Sequence, residues 1–239
     1  THHVEYPLYS PTPLTAEQNP DDIFQAVLKS ISGVMEESKI EPGQVSLVSF
    51  SSAMHSVIAV DQEGHPLTQC ITWADSRSKK WSDYINNEWN GKEIYQRTGT
   101  PIHPMSPLSK ITWLVNDYPD LFKKTFKFIS IKEYVFYKLY NQYIIDYSIA
   151  SATGLFHLEN LDWDKKALAI AGISEDCLSK PVPTTYFLTG MDLNYAAEMG
   201  ILPDTPFVVG ASDGVLSNLG VNAIEPGVVA VTIGTSGAI

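Results

Sequence analysis

The sequence predicts a protein of the α/β class. Short runs of β-branched and apolar residues alternate with amphipathic helical patterns along the 239 residues, and this alternation is typical of sheets covered by helices. Hydrophobic residues make up 44% of the chain and charged residues 18%, a composition that suits a globular protein with a sizeable core. No apolar run approaches the roughly 18 residues that a membrane-spanning helix needs, so we expect no membrane partner.

The charge and the cysteines narrow the range of functions. The formal net charge is −11, which argues against a nucleic-acid partner or an anionic membrane surface. Cys70 and Cys177 lie far apart in the sequence, which favours packing roles in a reducing, cytoplasmic compartment. The ligand spacing of a zinc site is absent, and no metal ligand is predicted.

The first predicted elements are a long helix and three strands. Asn19 can cap a helix that begins at Pro20, and apolar residues from Ile23 to Met35 recur at helical spacing. Buried strands are then predicted over residues 45–51 and 56–61 and around residues 70–73.

The remaining elements continue the alternation of helices and strands. Helices are predicted over residues 81–89, 92–97, 119–127, 132–140, 161–171 and 193–199, and another begins near residue 108. Within that last helix we expect Lys110 to be solvated, as most lysines are. Residues 207–211 and 228–233 are predicted strands, and a domain boundary is expected near Glu225-Pro226-Gly227.

The motif with the clearest chemical potential follows a predicted strand. Asp213 stands in Gly210-Ala211-Ser212-Asp213-Gly214, and a turn rich in Gly, Thr and Ser follows at residues 232–237. A carboxylate at a strand end can accept a proton from an alcohol, and the N–H groups of such a turn can hold phosphates. This pattern predicts a phosphoryl-transfer site without a GxxxxGK[ST] loop. The ordinary alternative is that Asp213 only caps the following helix.

Two further polar groups also follow predicted strands. Met54-His55 could contact a sugar hydroxyl, while a histidine held by backbone groups is an equal alternative. Trp73, Asp75 and Arg77 combine an aromatic face with an acid and a base, which suits a polyol. Asp75 and Arg77 could equally form an ion pair on the surface.

Five stretches, in order, resemble the FGGY family of carbohydrate kinases, and within it the members that act on gluconate. They are Ser-Ser-Ala-Met-His-Ser at 51–56, Ile-Thr-Trp-Ala-Asp-Ser-Arg at 71–77, Gly-Thr-Pro-Ile-His-Pro-Met at 99–105, Gly-Ala-Ser-Asp-Gly at 210–214 and Gly-Thr-Ser at 234–236. The resemblance runs from Tyr6 to Ile239. It implies a ribonuclease-H-like fold of the actin/hexokinase type, with a mixed sheet and flanking helices, and two such domains around a cleft.

The resemblance also implies how the chain is divided. Residues 1–226 would form the sugar-binding domain, with its first hairpin missing. Residues 227–239 would begin the ATP-binding domain, with its remainder missing. Both ends are therefore expected to be truncations, and we expect this chain alone to be inactive.

The functional residues of the family carry over to matching positions. Asp213 matches the general base, and Met54 and His55 match the pair that contacts the sugar. Positions that line the sugar pocket in relatives are matched by Trp73, Asp75, Arg77, Met105 and Gly214. The phosphate loop of the ATP-binding domain is matched by Gly234, Thr235 and Ser236. ATP with Mg²⁺ is the implied co-substrate.

The function implied by the resemblance is ATP-dependent phosphorylation of D-gluconate to 6-phospho-D-gluconate. The partner would be a small-molecule sugar acid, and a homo-oligomer is compatible with the family. One alternative is a kinase for xylulose or another pentulose, and another is a non-catalytic sugar-acid-binding module. An actin- or chaperone-like ATPase is disfavoured, because such proteins lack the Met-His and Trp-x-Asp-x-Arg stretches.

The predicted selectivity residue is Arg77. Relatives acting on neutral polyols and ketoses often carry Gln before the sugar-contacting pair, whereas this chain has Ala53. His55 and Arg77 remain as candidate donors for a carboxylate, and the arginine fork can make two parallel charge-assisted bonds.

Overall fold

The computed structural model describes residues 1–233, 237 and 238, and it confirms the α/β class. The helices are α1 Pro20–Ser38, α2 Lys79–Glu88, α3 Gly91–Thr98, α4 Pro107–Asp117, α5 Pro119–Phe122, α6 Ile131–Tyr140, α7 Tyr147–Ser151, α8 Lys165–Ala171, α9 Leu193–Met199 and α10 Asp213–Gly220. The strands are β1 Glu17–Gln18, β2 Val48–Ser52, β3 Ile58–Val60, β4 Cys70–Ile71, β5 Lys127–Ile129, β6 Ile144–Asp146, β7 Phe156–His157, β8 Asp162–Trp163, β9 Lys180–Val182, β10 Phe187–Leu188, β11 Phe207–Ser212, β12 Thr232–Ile233 and β13 Gly237–Ala238.

Helix α1 forms as its sequence predicts. The side chain of Asn19 accepts hydrogen bonds from the backbone N–H groups of Asp21 and Asp22, and Pro20 occupies the first turn. The helix ends where Lys39 takes the left-handed conformation, with its N–H bonded to the carbonyl of Met35. Its buried stripe packs against α9 and α6, so α1 covers one side of the core.

Three predicted elements differ most from their bounds in the structure. The helix predicted over 161–171 begins only at Lys165, because Asp164 caps it and the preceding residues pair with β7. The helix predicted over 119–127 ends at Phe122, because Lys127 already pairs with Val60 in the β3–β5 ladder. The strand predicted over 228–233 is confined to β12, and the valines before it are exposed.

The sheet that positions the site is β10-β11-β2. Strand β11 runs parallel to β2, with Ser51 opposite Ala211 and Ser52 opposite Ser212, and β10 pairs antiparallel with the other edge of β11. The register shifts between Val208 and Ala211, which is a β-bulge in β11. The two parallel strands therefore end side by side.

Gly210 makes this bulge possible. Its φ of +63° lies in the left-handed region, which glycine adopts without strain. A Cβ atom built at this position would overlap the main-chain carbonyl oxygen of Phe50 on β2. Both the conformation and the close approach of the two strands consequently require glycine here.

The core consists of two clusters of buried side chains. One surrounds β11 and joins helices α1, α6 and α9, with Phe24, Leu28, Phe136, Met199 and Phe207 among its members. The other joins α2, α3, α4, α7 and α8, with Ile85, Leu108, Ile149, Leu155 and Leu168 among its members. Among the described residues, none of the helices is both long enough and apolar enough to cross a membrane.

We predict that Gly210→Ala lowers the free energy of unfolding of the chain by about 3 kcal/mol or more. Alanine disfavours the left-handed conformation by about 1–2 kcal/mol. Its methyl group also clashes with the Phe50 backbone, which cannot move without opening the β2–β11 ladder. Urea unfolding followed by circular dichroism measures the loss.

Gly190→Ala is the matched control. Gly190 also has a left-handed φ, of +73°, but a Cβ there meets no atom within 4 Å. It should cost only the conformational part, about 1–2 kcal/mol. Equal losses in the two variants would show that the contact with Phe50 does not matter.

Candidate functional site

The candidate site lies where β2 and β11 end together. Residues 53–55 follow β2, and Asp213 and Gly214 open the helix that follows β11. A Cβ at Gly214 would lie 3.3 Å from the methyl carbon of Met54, and Asp213 is close enough for its charge to act on the pKa of His55. The structure therefore brings Met54, His55, Asp213 and Gly214 together.

Asp213 is exposed and does not cap the helix. The cap of α10 is Ser212, whose side chain accepts a hydrogen bond from the N–H of Val215. The alternative of Asp213 as the N-cap is therefore wrong. One carboxylate oxygen of Asp213 accepts the N–H of Gly214 at 2.7 Å, and the other accepts no hydrogen bond from the described part of the chain. This second oxygen is available to a ligand.

Helix α7 holds Ser212, the residue that precedes Asp213. The Ser148 hydroxyl accepts the backbone N–H of Ser212 at 3.1 Å and donates to the Ser212 hydroxyl at 3.0 Å. Helix α7 is itself capped by Asp146, whose carboxylate accepts the N–H of Ile149. The start of α10 is thus fixed by side chains from a second element.

His55 is a neutral imidazole with one ring nitrogen free to accept a hydrogen bond. Its Nδ1 lies 2.9 Å from the carbonyl oxygen of Ala152, and because a carbonyl can only accept, Nδ1 carries the proton. Burial, followed by the nearby charge of Lys110, lowers the pKa of His55 to about 4. The ring is therefore uncharged near pH 7, and Nε2 carries a lone pair suited to a hydroxyl donor.

Lys110 is fully buried, so the expectation of a solvated lysine is wrong. Its side chain is 0% exposed, and its ammonium donates to the carbonyl oxygens of His55 at 2.6 Å and Thr72 at 2.7 Å. Burial lowers the pKa of Lys110 to about 7. The sequence contained a partial signal, because Leu108, Ile111 and Trp113 lie close to Lys110 in the chain. In the structure, residues 107–114 are all buried.

Lys132 is a second buried lysine that the sequence reading did not single out. Its ammonium donates to the carbonyl oxygens of Val209 at 3.0 Å and Ala211 at 3.2 Å. It also pairs with the carboxylate of Asp146 at 2.7 Å, and burial lowers the pKa of Lys132. This lysine ties the end of β11 to the end of β6.

Arg77 belongs to a partly buried ion-pair cluster. Asp75 is 1% exposed, and its carboxylate accepts from the backbone N–H of Ala16 at 3.0 Å and from Nε of Arg77 at 2.9 Å. The guanidinium also pairs with Glu17 and lies 4.8 Å from the centre of the Trp113 ring. The alternative of an ion pair between Asp75 and Arg77 is confirmed, but the pair does not lie on the surface, since the Asp75 side chain is buried and the Arg77 side chain is 26% exposed.

Trp73 and Met105, two other predicted site residues, are linked to His55 only through neighbouring residues. Trp73 is 52% exposed and follows the Thr72 carbonyl that Lys110 holds. Met105 is partly buried, and its N–H donates to His103, whose charge acts on His55. Their contacts with a sugar stay a prediction. Gly234, Thr235 and Ser236 lie outside the described residues.

Comparisons of the chain with known proteins agree on one protein family. Residues 1–220 match the family model described as the FGGY family of carbohydrate kinases, N-terminal domain. The chain is 60% identical over 236 residues to the gluconokinase of Bacillus licheniformis, and the match covers 99% of this chain and 46% of that protein. The chain thus spans about half the length of the curated relatives it matches.

Two solved structures from Lactobacillus acidophilus are similar over nearly the whole chain. One is described as a ligand-bound xylulose kinase and the other as a gluconate kinase, and each gives a TM-score of 0.93 at 37% identity. Each match covers 98% of this chain and 47% of the solved chain. The similarity confirms the ribonuclease-H-like, actin/hexokinase-type fold.

We predict that Arg77→Ala lowers the free energy of unfolding by about 2–4 kcal/mol. Removing the guanidinium leaves the buried Asp75 carboxylate without its cation, and breaking a buried pair in this way is strongly destabilising. Thermal or urea unfolding of the chain measures the change.

Lys79→Ala provides the comparison, because Lys79 pairs with Asp83 on the exposed face of α2. Such a pair contributes about 0–1 kcal/mol. If Arg77→Ala cost no more than Lys79→Ala, the cluster would behave as a surface pair after all.

Proposed function

Because the chain belongs to the FGGY family of carbohydrate kinases, we propose that the protein transfers the γ-phosphoryl group of ATP to the terminal hydroxyl of D-gluconate. The product would be 6-phospho-D-gluconate. The observation that carries the proposal is the exposed carboxylate of Asp213 at the end of β11, beside Met54 and the acceptor nitrogen of His55.

Asp213 acts as the general base. Its free carboxylate oxygen accepts the proton of the sugar hydroxyl as that oxygen attacks the γ-phosphorus, which makes the hydroxyl a better nucleophile. The bond from the Gly214 N–H to the other oxygen and the anchoring of Ser212 by Ser148 limit the movement of the acid. Positioning of this kind is the main requirement of phosphoryl transfer.

His55 and Met54 orient the sugar. With Nδ1–H bonded to the Ala152 carbonyl, Nε2 accepts a hydrogen bond from a hydroxyl of the substrate. Met54 supplies an apolar surface beside Gly214, where any side chain would press on the methionine methyl group. Trp73, Asp75, Arg77 and Met105 belong to the same proposed sugar pocket.

The co-substrate follows from the family. Kinases of this family use ATP as the phosphoryl donor, and Mg²⁺ would neutralise charge on its phosphates. Gly234, Thr235 and Ser236 are the proposed phosphate-holding residues, in a segment (227–239) proposed to begin the ATP-binding domain after a sugar-binding domain of residues 1–226. A cytoplasmic location and a homo-oligomeric state complete the proposal.

The choice of gluconate rests on the relatives. The 60% identity to a gluconokinase favours the sugar acid, while the two Lactobacillus acidophilus structures carry different substrate names at equal similarity. Arg77 was the predicted carboxylate donor, but its guanidinium already pairs with Asp75 and Glu17. His55 is neutral and does not supply the missing cation.

We predict that the full-length protein phosphorylates gluconate with a kcat/KM at least about 100-fold above that for xylulose or glycerol.

Asp213→Asn should lower kcat by about two to four orders of magnitude, the usual effect of a positioned base. The KM for gluconate should change little, because the amide retains the shape of the acid and its oxygen can still accept the N–H of Gly214. A coupled ADP-release assay measures both quantities.

Asp192→Asn is the matched control for Asp213→Asn. Asp192 is an exposed carboxylate at the start of α9 whose oxygen accepts the N–H of Asn194, and Asn caps helices equally well. Near-normal turnover in Asp213→Asn would remove Asp213 as the base. Equal use of xylulose would contradict gluconate, and sugar binding without turnover by the full-length protein would identify a binding module.

A second prediction concerns the charge state of His55. Because burial lowers its pKa to about 4, the ring stays neutral between about pH 6 and 8, and protonation removes the acceptor only under more acidic conditions. Titration of the His55 ring should therefore add no inflection near the ordinary histidine pKa to the KM for gluconate. Lys110, whose pKa burial lowers to about 7, is a group at the site that titrates in this range.

His55→Asn separates the two ring nitrogens. Its amide nitrogen can replace Nδ1 on the Ala152 carbonyl, and Asn tolerates the left-handed φ of +68°, but nothing replaces Nε2. We expect a folded protein with a KM for gluconate raised about tenfold, the worth of one hydrogen bond. An inflection near pH 6.5 in the wild type that disappears in His55→Asn would mean that the charged ring binds the substrate.

A further inference from the structure

Lys110 is the most deeply buried cation at the site, and the proposed reaction does not use it. The lysine sits on α4 with a side chain that is 0% exposed. Its ammonium makes two short hydrogen bonds, to the carbonyl oxygens of His55 at 2.6 Å and Thr72 at 2.7 Å. Burying a charge is costly unless polar partners compensate it, so these two carbonyls are its main compensation.

The two carbonyls belong to different loops of the proposed sugar pocket. His55 ends the Met54-His55 loop after β2, and Thr72 immediately precedes Trp73 in the loop after β4. One ammonium that bonds both main chains fixes the distance between these loops. No other described side chain donates hydrogen bonds to both.

Carboxylates do not take the place of these carbonyls. Asp75 lies near enough for its charge to act on Lys110, but its oxygens are occupied by Arg77 and by the N–H of Ala16. In the described part of the chain, no carboxylate oxygen lies within ion-pair distance of the Lys110 ammonium. The Lys110 ammonium is therefore bound by main-chain carbonyl groups and not by a counter-ion.

The conformation that Lys110 holds is a strained one. His55 has a φ of +68°, which is unfavourable for a residue with a side chain and persists only where its surroundings impose it. The ring is tethered to the Ala152 carbonyl at 2.9 Å, and the main-chain carbonyl is tethered to Lys110. Without the second tether, the backbone can relax and carry Nε2 away from its present position.

We propose that Lys110 is a positioning residue for sugar binding. It holds the His55 and Trp73 loops at a fixed separation through their main-chain carbonyls, and it keeps the acceptor nitrogen of His55 directed to the substrate without touching the substrate itself. The inference rests on the function proposed above for the same site.

If Lys110 only stabilised the fold, its loss would not act selectively on sugar binding. The chain contains a control lysine that distinguishes this structural role from a positioning role. Lys127 is a partly buried lysine whose ammonium donates to the carbonyl oxygens of Asp176 and Leu178, both at 2.9 Å. The chemistry of its bonds is the same, but its carbonyls belong to the turn before β9 and not to the proposed sugar loops. Lys127→Met therefore reports what losing a carbonyl-bound lysine does to the fold alone.

The experiment compares Lys110→Met, Lys110→Gln and Lys127→Met in the full-length protein, by steady-state kinetics with gluconate and ATP varied separately. Thermal unfolding and circular dichroism establish that each variant is folded. For Lys110→Met we expect a KM for gluconate raised at least about tenfold, as expected for a lost hydrogen bond and a displaced loop. The KM for ATP should stay within about twofold, and kcat should fall less than the KM rises. Lys127→Met should keep all kinetic constants within about twofold.

Each remaining outcome decides the question. If Lys110→Met does not fold, Lys110→Gln takes its place, because the shorter amide can reach at most one of the two carbonyls and should also raise the KM for gluconate. A folded variant with a wild-type KM overturns the inference, as does failure of both variants to fold while Lys127→Met folds. If the wild type phosphorylates another sugar instead, the proposed substrate is wrong and Lys110 is tested with that sugar. If the wild type phosphorylates none, the proposed function fails and the inference falls with it.

Discussion

The parallel pairing of β2 with β11 is the constraint on which the candidate site depends. Parallel strands end at the same edge of a sheet, so the register of Ser52 opposite Ser212 obliges the loop at Met54 and the helix at Asp213 to begin side by side. The bulge at Gly210 is what lets β11 keep this register against the Phe50 carbonyl. The acid at Asp213 and the loop proposed to contact the sugar thus meet without any direct bond between them.

Buried lysines bind main-chain carbonyl groups at this edge of the sheet. Lys110 holds the loops after β2 and β4, and Lys132 holds the carbonyls of Val209 and Ala211 in β11. The ammonium group of lysine suits this task because it offers three hydrogen-bond donors and no acceptor at the end of a flexible side chain. The cost of burying the charge is offset by several carbonyl dipoles and, for Lys132, by Asp146.

Local patterns in the sequence predicted most of the fold. The cap at Asn19, the stripe of α1 and the strands leading to Met54 and Asp213 each depend on neighbouring residues, so periodicity and capping were sufficient. The burial of Lys110, the cluster of Arg77 with Glu17 and the anchoring of Ser212 by Ser148 depend on residues about 55 to 65 positions apart. Capping rules alone also did not distinguish Ser212 from Asp213, since both residue types cap helices.

The charges at this edge suit hydroxyl groups better than a carboxylate. Asp213 is an acid, His55 is neutral, and Arg77 shares its charge with the two carboxylates of Asp75 and Glu17. In gluconate, the proposed substrate, the terminal hydroxyl and the carboxylate stand at opposite ends of the carbon chain, so a hydroxyl at Asp213 would direct the carboxylate away from this acidic edge. Recognition of the reacting end and recognition of the acid end would then be separate tasks. Only the first would fall to the ends of β2 and β11.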